Sequence, residues 1–150
     1  MALTDYIEEG DILLDFRASG KRQALEALCR FAAGRHGLSY PELLRVILDR
    51  EASGSTGLGG EVALPHGKSA GLLRPLLTLA LAGQGIEFDS IDGRPVRIIV
   101  LILSPLEGDG REHLQVLARL GGLFKSREAV EELLAVRSPA EAYAFLAARG

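Results

Sequence analysis

The chain has no tryptophan, and only one cysteine, one methionine and three histidines among its 150 residues. Each scarcity closes off a class of function. The lone thiol, Cys29, cannot form an internal disulfide, which suits a reducing compartment. One cysteine and histidines at the scattered positions His36, His66 and His113 give a structural zinc no ligand set. With five Phe, three Tyr and no Trp there is little on which to stack nucleic-acid bases. The 17 basic residues are interspersed with 20 acidic ones and form no basic stripe. The longest apolar run, Val96 to Leu103, is interrupted by Arg97 and is far too short to cross a bilayer. The N-terminus, Met-Ala-Leu-Thr-Asp-Tyr, lacks the basic-then-apolar order of a secretory signal. No carboxylate pair stands in a context that suggests glycosidase or protease chemistry. These absences predict a cytoplasmic protein that neither binds nucleic acid nor inserts into a membrane, and that needs no metal or cofactor.

What is present is apolar and periodic. Apolar residues make up 47% of the chain, enough for a core of its own in one domain spanning residues 1–150. Ile12 to Phe16 reads as a short first strand, after which Ser19 is placed to cap a helix. Leu25, Leu28, Cys29 and Ala32 fall on one helical face, with Gly34 and Gly37 at its end. Ser39-Tyr40-Pro41-Glu42 is a capping box, and the helix it opens buries Leu44, Ile47 and Leu48 before running out near Arg50-Glu51. Leu76 to Ala82 and Val96 to Leu103 predict central strands covered on both faces, with a turn across Gly83 to Pro95. The last third is helical. Leu114, Leu117, Ala118 and Gly121 share a face, as do Val130, Leu133 and Leu134. Ser138-Pro139-Ala140-Glu141 opens a terminal helix that buries Tyr143, Leu146 and Ala147. Strands in the middle and helices at both ends predict an α/β three-layer sandwich, a mixed sheet with helices on both faces.

A glycine-rich loop, Ser53-Gly54-Ser55-Thr56-Gly57-Leu58-Gly59-Gly60, links the second helix to Val62-Ala63-Leu64 and then to Pro65-His66-Gly67-Lys68. Such loops often cradle phosphates. Gly67-Lys68-Ser69 ends like a P-loop, yet the required first glycine falls on Val62. Gly57-Leu58-Gly59 begins like a dinucleotide fingerprint and also fails at Val62, with helix and strand in the wrong order. Nucleotide binding is therefore not expected. What remains is a loop of backbone amides with two hydroxyls, Ser55 and Thr56, feeding a strand that delivers His66. Amide-lined loops bind anions, and a neutral imidazole is a competent nucleophile near neutral pH. Phosphoryl transfer asks little more of a protein than a placed nucleophile and charge stabilisation. Arg50 and Lys68 are the local cations, and arginine suits a bidentate grip on phosphoryl oxygens.

Arg50-Glu51-Ala52-Ser53-Gly54-Ser55-Thr56-Gly57-Leu58-Gly59, followed by Val62-Ala63-Leu64-Pro65-His66-Gly67-Lys68, resembles the signature of the enzyme IIA domains of the bacterial phosphotransferase system. The resemblance is to the fructose/mannitol class, which includes the nitrogen-regulatory enzymes IIA. Phe88-Asp89-Ser90-Ile91-Asp92-Gly93-Arg94-Pro95-Val96 and Glu112-His113-Leu114 fit the same family, so the likeness covers nearly the whole chain. It implies that His66 accepts a phosphoryl group, on Nε2, from the phosphohistidine of a small HPr-type carrier. It also implies that Arg50 lines the site and that His113 lies beside His66. The family fold it implies, a mixed sheet sandwiched by helices, agrees with the pattern above. At one place the chain departs from the family: Glu61 stands where glycine usually precedes the apolar pair. Its charge is expected to point outwards.

The remaining candidates have plainer readings beside the functional ones. From spacing alone His113, with Leu117, Leu120 and Phe124, is either the rim of a buried helical face or a neighbour of the phosphoryl group; the resemblance favours the second. Ser55 and Thr56, with Gly57, are either turn formers or phosphoryl contacts. His36 is explained as a cation at a helix C-terminus, and Cys29 as core. Two roles follow for the family: a phosphocarrier that passes its group to an enzyme IIB in sugar uptake, or a regulatory protein whose phosphorylation state selects its partners. A binding module with a decayed site is the third reading. With no fused transporter or enzyme IIB domain read in these 150 residues, an organisation like that of the stand-alone regulatory members is expected, and with it the regulatory role before the transport one. Leu58 is expected on a docking face around His66.

Overall fold

A computed structural model describes residues 1–150. Two 3-10 turns, Leu3–Asp5 and Glu9–Asp11, precede β1 (Ile12–Leu13), α1 (Lys21–His36), α2 (Tyr40–Ala52) and β2 (Gly57–Gly59). There follow β3 (Val62–Ala63), β4 (His66–Ser69), β5 (Leu76–Ile86), β6 (Val96–Pro105), α3 (Arg111–Leu123), α4 (Arg127–Leu134) and α5 (Pro139–Arg149). The sheet runs β1-β5-β6-β3-β2, and β4 also pairs with β6. β5 and β6 are antiparallel, while β3 and β4 both run parallel to β6. The sheet is mixed, as the sequence predicts.

β6 explains why the layers are three. Ile98, Val100 and Ile102 face one way, into a core shared with Leu77 and Leu79 of β5 and with Val116, Leu120, Val130, Leu133 and Leu146 of α3, α4 and α5. Ile99, Leu101 and Leu103 face the other way, against Leu25, Leu28 and Cys29 of α1 and Leu43 and Ile47 of α2. A strand buried on both faces shows no alternation in its sequence, and so reads as a continuous apolar run.

β3 and β4 lie along the same edge of β6 with the same chain offset, Val62 opposite Ile98 and His66 opposite Ile102. They form one line of chain interrupted at Leu64-Pro65. β4 packs directly on α2. A Cβ placed at Gly67 would lie 2.5 Å from Val46 Cγ1 and 3.2 Å from Ile47 Cδ1, so any side chain there would push against α2.

Several boundaries differ from the sequence reading, each for a local reason. β1 ends early because Asp15 turns the chain at φ +54°. α1 begins at Lys21 after Gly20, and the Ser19 amide donates to Gln23 Oε1 instead of its hydroxyl capping the helix. Gly34 lies inside α1, and Gly37, left-handed at φ +67°, ends it. Leu43 is buried with Ile47, while Leu44 and Leu48 are half-buried at the flanks. β5 runs on through the expected turn to Ile86, with an irregularity in its register beyond Leu81. Leu114 and Ala118 are exposed, because α3 turns Val116 and Leu120 to the sheet. In α5 Ala147 is exposed and Phe145 is buried. Ser39 and Ser138 cap their helices, the hydroxyls accepting from the Glu42 and Glu141 amides, but the reciprocal half of each expected box is not made: Glu42 turns to Arg45, and Glu141 accepts from the Arg137 amide. Ser126 caps α4 in the same way. No helix is long and apolar enough to cross a membrane.

Candidate functional site

The site gathers on His66, the first residue of β4. Its Nδ1 lies 2.8 Å from the Leu64 carbonyl oxygen. A carbonyl only accepts, so Nδ1 carries the proton and the lone pair resides on Nε2. Arg50, in the last turn of α2, donates from Nε to His66 Nε2 at 3.2 Å and from Nη1 to the Gly54 carbonyl at 2.8 Å. The half-buried imidazole thus presents a nucleophilic nitrogen to a guanidinium that the glycine loop itself holds in place.

His113 comes from the first turn of α3, and its ring centroid lies 5.5 Å from that of His66. Its Nδ1 lies 2.6 Å from Ser104 Oγ. Burial, then the nearby His66 and Lys68, lower its pKa below the usual histidine value. The exposed ammonium of Lys68 sits over Gly110 at the start of α3; a Cβ on that glycine would be 3.3 Å from Nζ. Glu112 turns to the N-terminal segment and accepts from the Tyr6 hydroxyl at 2.6 Å, tying the first turn of α3 down.

The loop hydroxyls serve the scaffold. Ser55 Oγ donates to the Phe88 carbonyl at 2.7 Å and accepts from the Gly57 amide at 3.0 Å. Thr56 is buried, and its amide and hydroxyl both donate to the Glu51 carboxylate. That carboxylate also pairs with Lys21 Nζ at 2.7 Å. Gly57 is sterically required, since a Cβ there would lie 2.2 Å from Ser90 Oγ. Both hydroxyls therefore shape the loop, and Arg50 and His113 are the polar side chains it leaves beside His66.

Glu61 does not point outwards. It is 7% exposed, and its Oε1 accepts from Arg127 Nη2 at 2.5 Å and from Arg94 Nη2 at 3.2 Å, while Oε2 accepts from Arg97 Nη1 at 3.3 Å. Burial works against its charge, but the hydrogen bonds and charges of Arg127 and Arg97 prevail and hold its pKa below the usual carboxylate value. It does so at φ +72°, a conformation that favours glycine. Four residues of nearly extended chain separate it from His66, a span of roughly 16 Å, so its charge is remote from that imidazole.

Sequence reasoning missed Ser104, the Leu64 carbonyl and the loop-anchoring role of Glu51. A signal existed for Ser104: it continues the face of Ile98, Val100 and Ile102 yet is polar. The acceptor under His66 is main chain and leaves no trace in side-chain identity.

Residues 5–149 match the family described as phosphoenolpyruvate-dependent sugar phosphotransferase system, EIIA 2. A nitrogen regulatory protein of Bradyrhizobium diazoefficiens is 36% identical over 147 residues, 98% of this chain and 95% of that one. The crystal structure of nitrogen regulatory protein IIA-Ntr from Neisseria meningitidis superposes with a TM-score of 0.88 at 33% identity, over 95% of this chain and 97% of that one. The Escherichia coli mannitol enzyme IIA, solved in complex with its phosphorylated enzyme IIB, shares the fold at a TM-score of 0.77 and 22% identity, over 95% and 99% of the two chains.

Proposed function

The chain belongs to the EIIA 2 family of the phosphoenolpyruvate-dependent sugar phosphotransferase system, and from that premise we propose that His66 is its phosphoryl acceptor. The protein is a phosphocarrier of regulatory type, and its relatives at 36% and 33% identity are nitrogen regulatory proteins. Family members of this fold work with enzyme IIB domains. An HPr-type carrier is the proposed donor, in the cytoplasm, with residues 1–150 acting as one enzyme IIA unit.

The observation that carries this reading is the pair of bonds on one ring: Leu64 O at Nδ1 and Arg50 at Nε2. The carbonyl keeps the Nε2 lone pair available. That lone pair attacks phosphorus in line, the new N–P bond forms, and the N–P bond to the donor imidazole breaks. The donor ring, protonated at its other nitrogen, keeps the electron pair of the broken bond and leaves as a neutral imidazole, and the positive charge passes to the His66 ring, whose Nδ1–H stays on the Leu64 carbonyl. Arg50 then exchanges its contact with Nε2 for the phosphoryl oxygens, where guanidinium N–H groups bind strongly. His113, its ring centroid 5.5 Å from that of His66, supports the transferred group. Leu58, 45% exposed on β2, belongs to the proposed docking face.

The test is phosphorylation by phosphoenolpyruvate, enzyme I and the carrier. Wild type gains an acid-labile phosphoryl group and His66→Ala gains none; label that survives in His66→Ala overturns the assignment. Leu58→Asp should slow transfer from the carrier, and an unchanged rate removes Leu58 from the docking face. The regulatory role predicts a target protein whose affinity differs between phosphorylated and unphosphorylated forms. A transport role predicts discharge to a separate enzyme IIB.

A further inference from the structure

We propose that Ser104 is a positioning residue of the phosphoryl site: its buried hydroxyl fixes the His113 ring and directs Nε2 of that ring to a phosphoryl group on His66. This rests on the reading of His66 as acceptor.

Ser104 breaks the apolar pattern of its strand. Along β6, Ile98, Val100 and Ile102 point into the core beneath α3, α4 and α5. Ser104 is the next residue on that face and is as buried as they are, with 0% exposure. A hydroxyl taken from water into such surroundings costs free energy unless it is hydrogen-bonded. Its one side-chain partner is His113 Nδ1, at 2.6 Å. Ser104 also stands directly opposite Lys68 in the β4–β6 ladder, where His66 is opposite Ile102. The hydroxyl and the nucleophile therefore ride on paired strands of one ladder, and the ring between them cannot shift without breaking this bond.

The chemistry differs from that beneath His66. A carbonyl there accepts only, so Nδ1 is protonated and Nε2 is bare. A hydroxyl can donate or accept. When it donates to Nδ1 of a neutral His113, the proton of that ring is on Nε2. When it accepts from the Nδ1–H of a charged ring, Nε2 is again N–H. A neutral ring donating Nδ1–H to the hydroxyl would leave the buried Ser104 O–H without an acceptor, since Oγ has no other partner, and is disfavoured on that ground. In the two remaining states His113 offers Nε2–H, and that nitrogen has no protein partner, on a ring 5.5 Å from His66. Two neighbouring imidazoles are thus set to opposite tasks by the atoms behind them, one to attack phosphorus and the other to donate to its oxygens. Burial and nearby positive charge favour the neutral ring in the unphosphorylated protein, the state in which the hydroxyl donates.

Nitrogen-15 NMR of the unphosphorylated protein reads this without any phosphoryl donor. Wild type should show His113 with a bare Nδ1 and a protonated Nε2. Ser104→Ala, and Ser104→Cys, which nearly keeps the volume with a weaker donor, should show a mixture of the two tautomers. Both variants should accept the phosphoryl group about tenfold more slowly, the worth of one hydrogen bond. In a His113→Ala background neither should slow transfer further. An unchanged tautomer in both variants, or an undiminished effect of Ser104→Ala without His113, overturns the proposal. Failure of wild type to be labelled at all would instead count against the function of His66, while the nitrogen assignments would still report on Ser104.

Discussion

Two charged clusters occupy the ends of the same line of chain, Glu61 just before β3 and His66 at the start of β4, and they are finished differently. Both oxygens of Glu61 are bonded, to guanidinium groups from the β5–β6 turn, β6 and α4. At His66 one nitrogen is fixed by the main chain, and the other meets only the arginine that would grip an incoming anion. His113 repeats the arrangement, with one nitrogen held and one free. A cluster that only joins elements saturates its polar atoms, whereas one built for chemistry holds each side chain by one end.

If that contrast is right, the clusters should fail in different assays. The largest effect is expected at Arg50. Arg50→Ala should slow phosphorylation of His66 roughly 100-fold, as loss of one charge-stabilising donor does elsewhere, and leave the urea midpoint nearly unchanged. Arg50→Lys should fall between, because a point charge replaces the planar fork. A normal rate for Arg50→Ala would remove it from the site.

Glu61→Gln should do the reverse. Its loss is expected to cost about 1 kcal/mol in urea denaturation, because its arginine partners are 37 to 56% exposed and keep much of their solvation. The phosphorylation rate should stay within about twofold of wild type, since Glu61 bonds only to Arg94, Arg97 and Arg127 and touches none of His66, Arg50 and His113. Glu61→Gly should cost less than Gln, because glycine accepts φ +72° without strain. Acid should erase the difference between wild type and Glu61→Gln. The folded-state pKa of Glu61 is depressed, so its contribution is present above the ordinary value of 4.5 and disappears as pH falls through the lower, folded-state value. A slowed transfer rate in Glu61→Gln would blur the two clusters into one.

The smallest effect is a slope. His113 has a depressed pKa in the folded protein, so below the ordinary value of 6.5 the unfolded chain binds the extra proton more readily. Stability should therefore decline as pH falls from 7.5 to 5.5, and less so in His113→Ala. A phosphoryl group on His66 would favour the charged ring, so phosphorylated protein should show the shallower dependence too. An identical slope in all three forms would mean that His113 is not coupled to its neighbour.

The two clusters were also unequally legible. The meeting of His66 and Arg50 could be read because one short stretch of sequence carries the imidazole, the loop and the cation. Around Glu61 the sequence misleads, since positions 94, 97 and 127 meet only after β6 and α4 are in place, and charge at a glycine position reads as solvent-facing. The same limit affected Ser55 and Thr56, whose partners are the Phe88 carbonyl and the buried Glu51. The layers could be foreseen from the two long apolar runs. β2 could not, because Gly57–Gly59 has no strand-forming side chains of its own beyond Leu58 and is held by pairing with β3.

Gly67 has a further consequence. The bare α-carbon where β4 meets α2 works like a shim of zero thickness: the strand bears the proposed phosphoryl acceptor, the helix bears the guanidinium, and the gap between them is set by what is missing at residue 67. Even a methyl group there would act as a wedge. A protein altered in this way could keep every polar residue of its site and still be out of gauge, its two working parts intact and their spacing wrong.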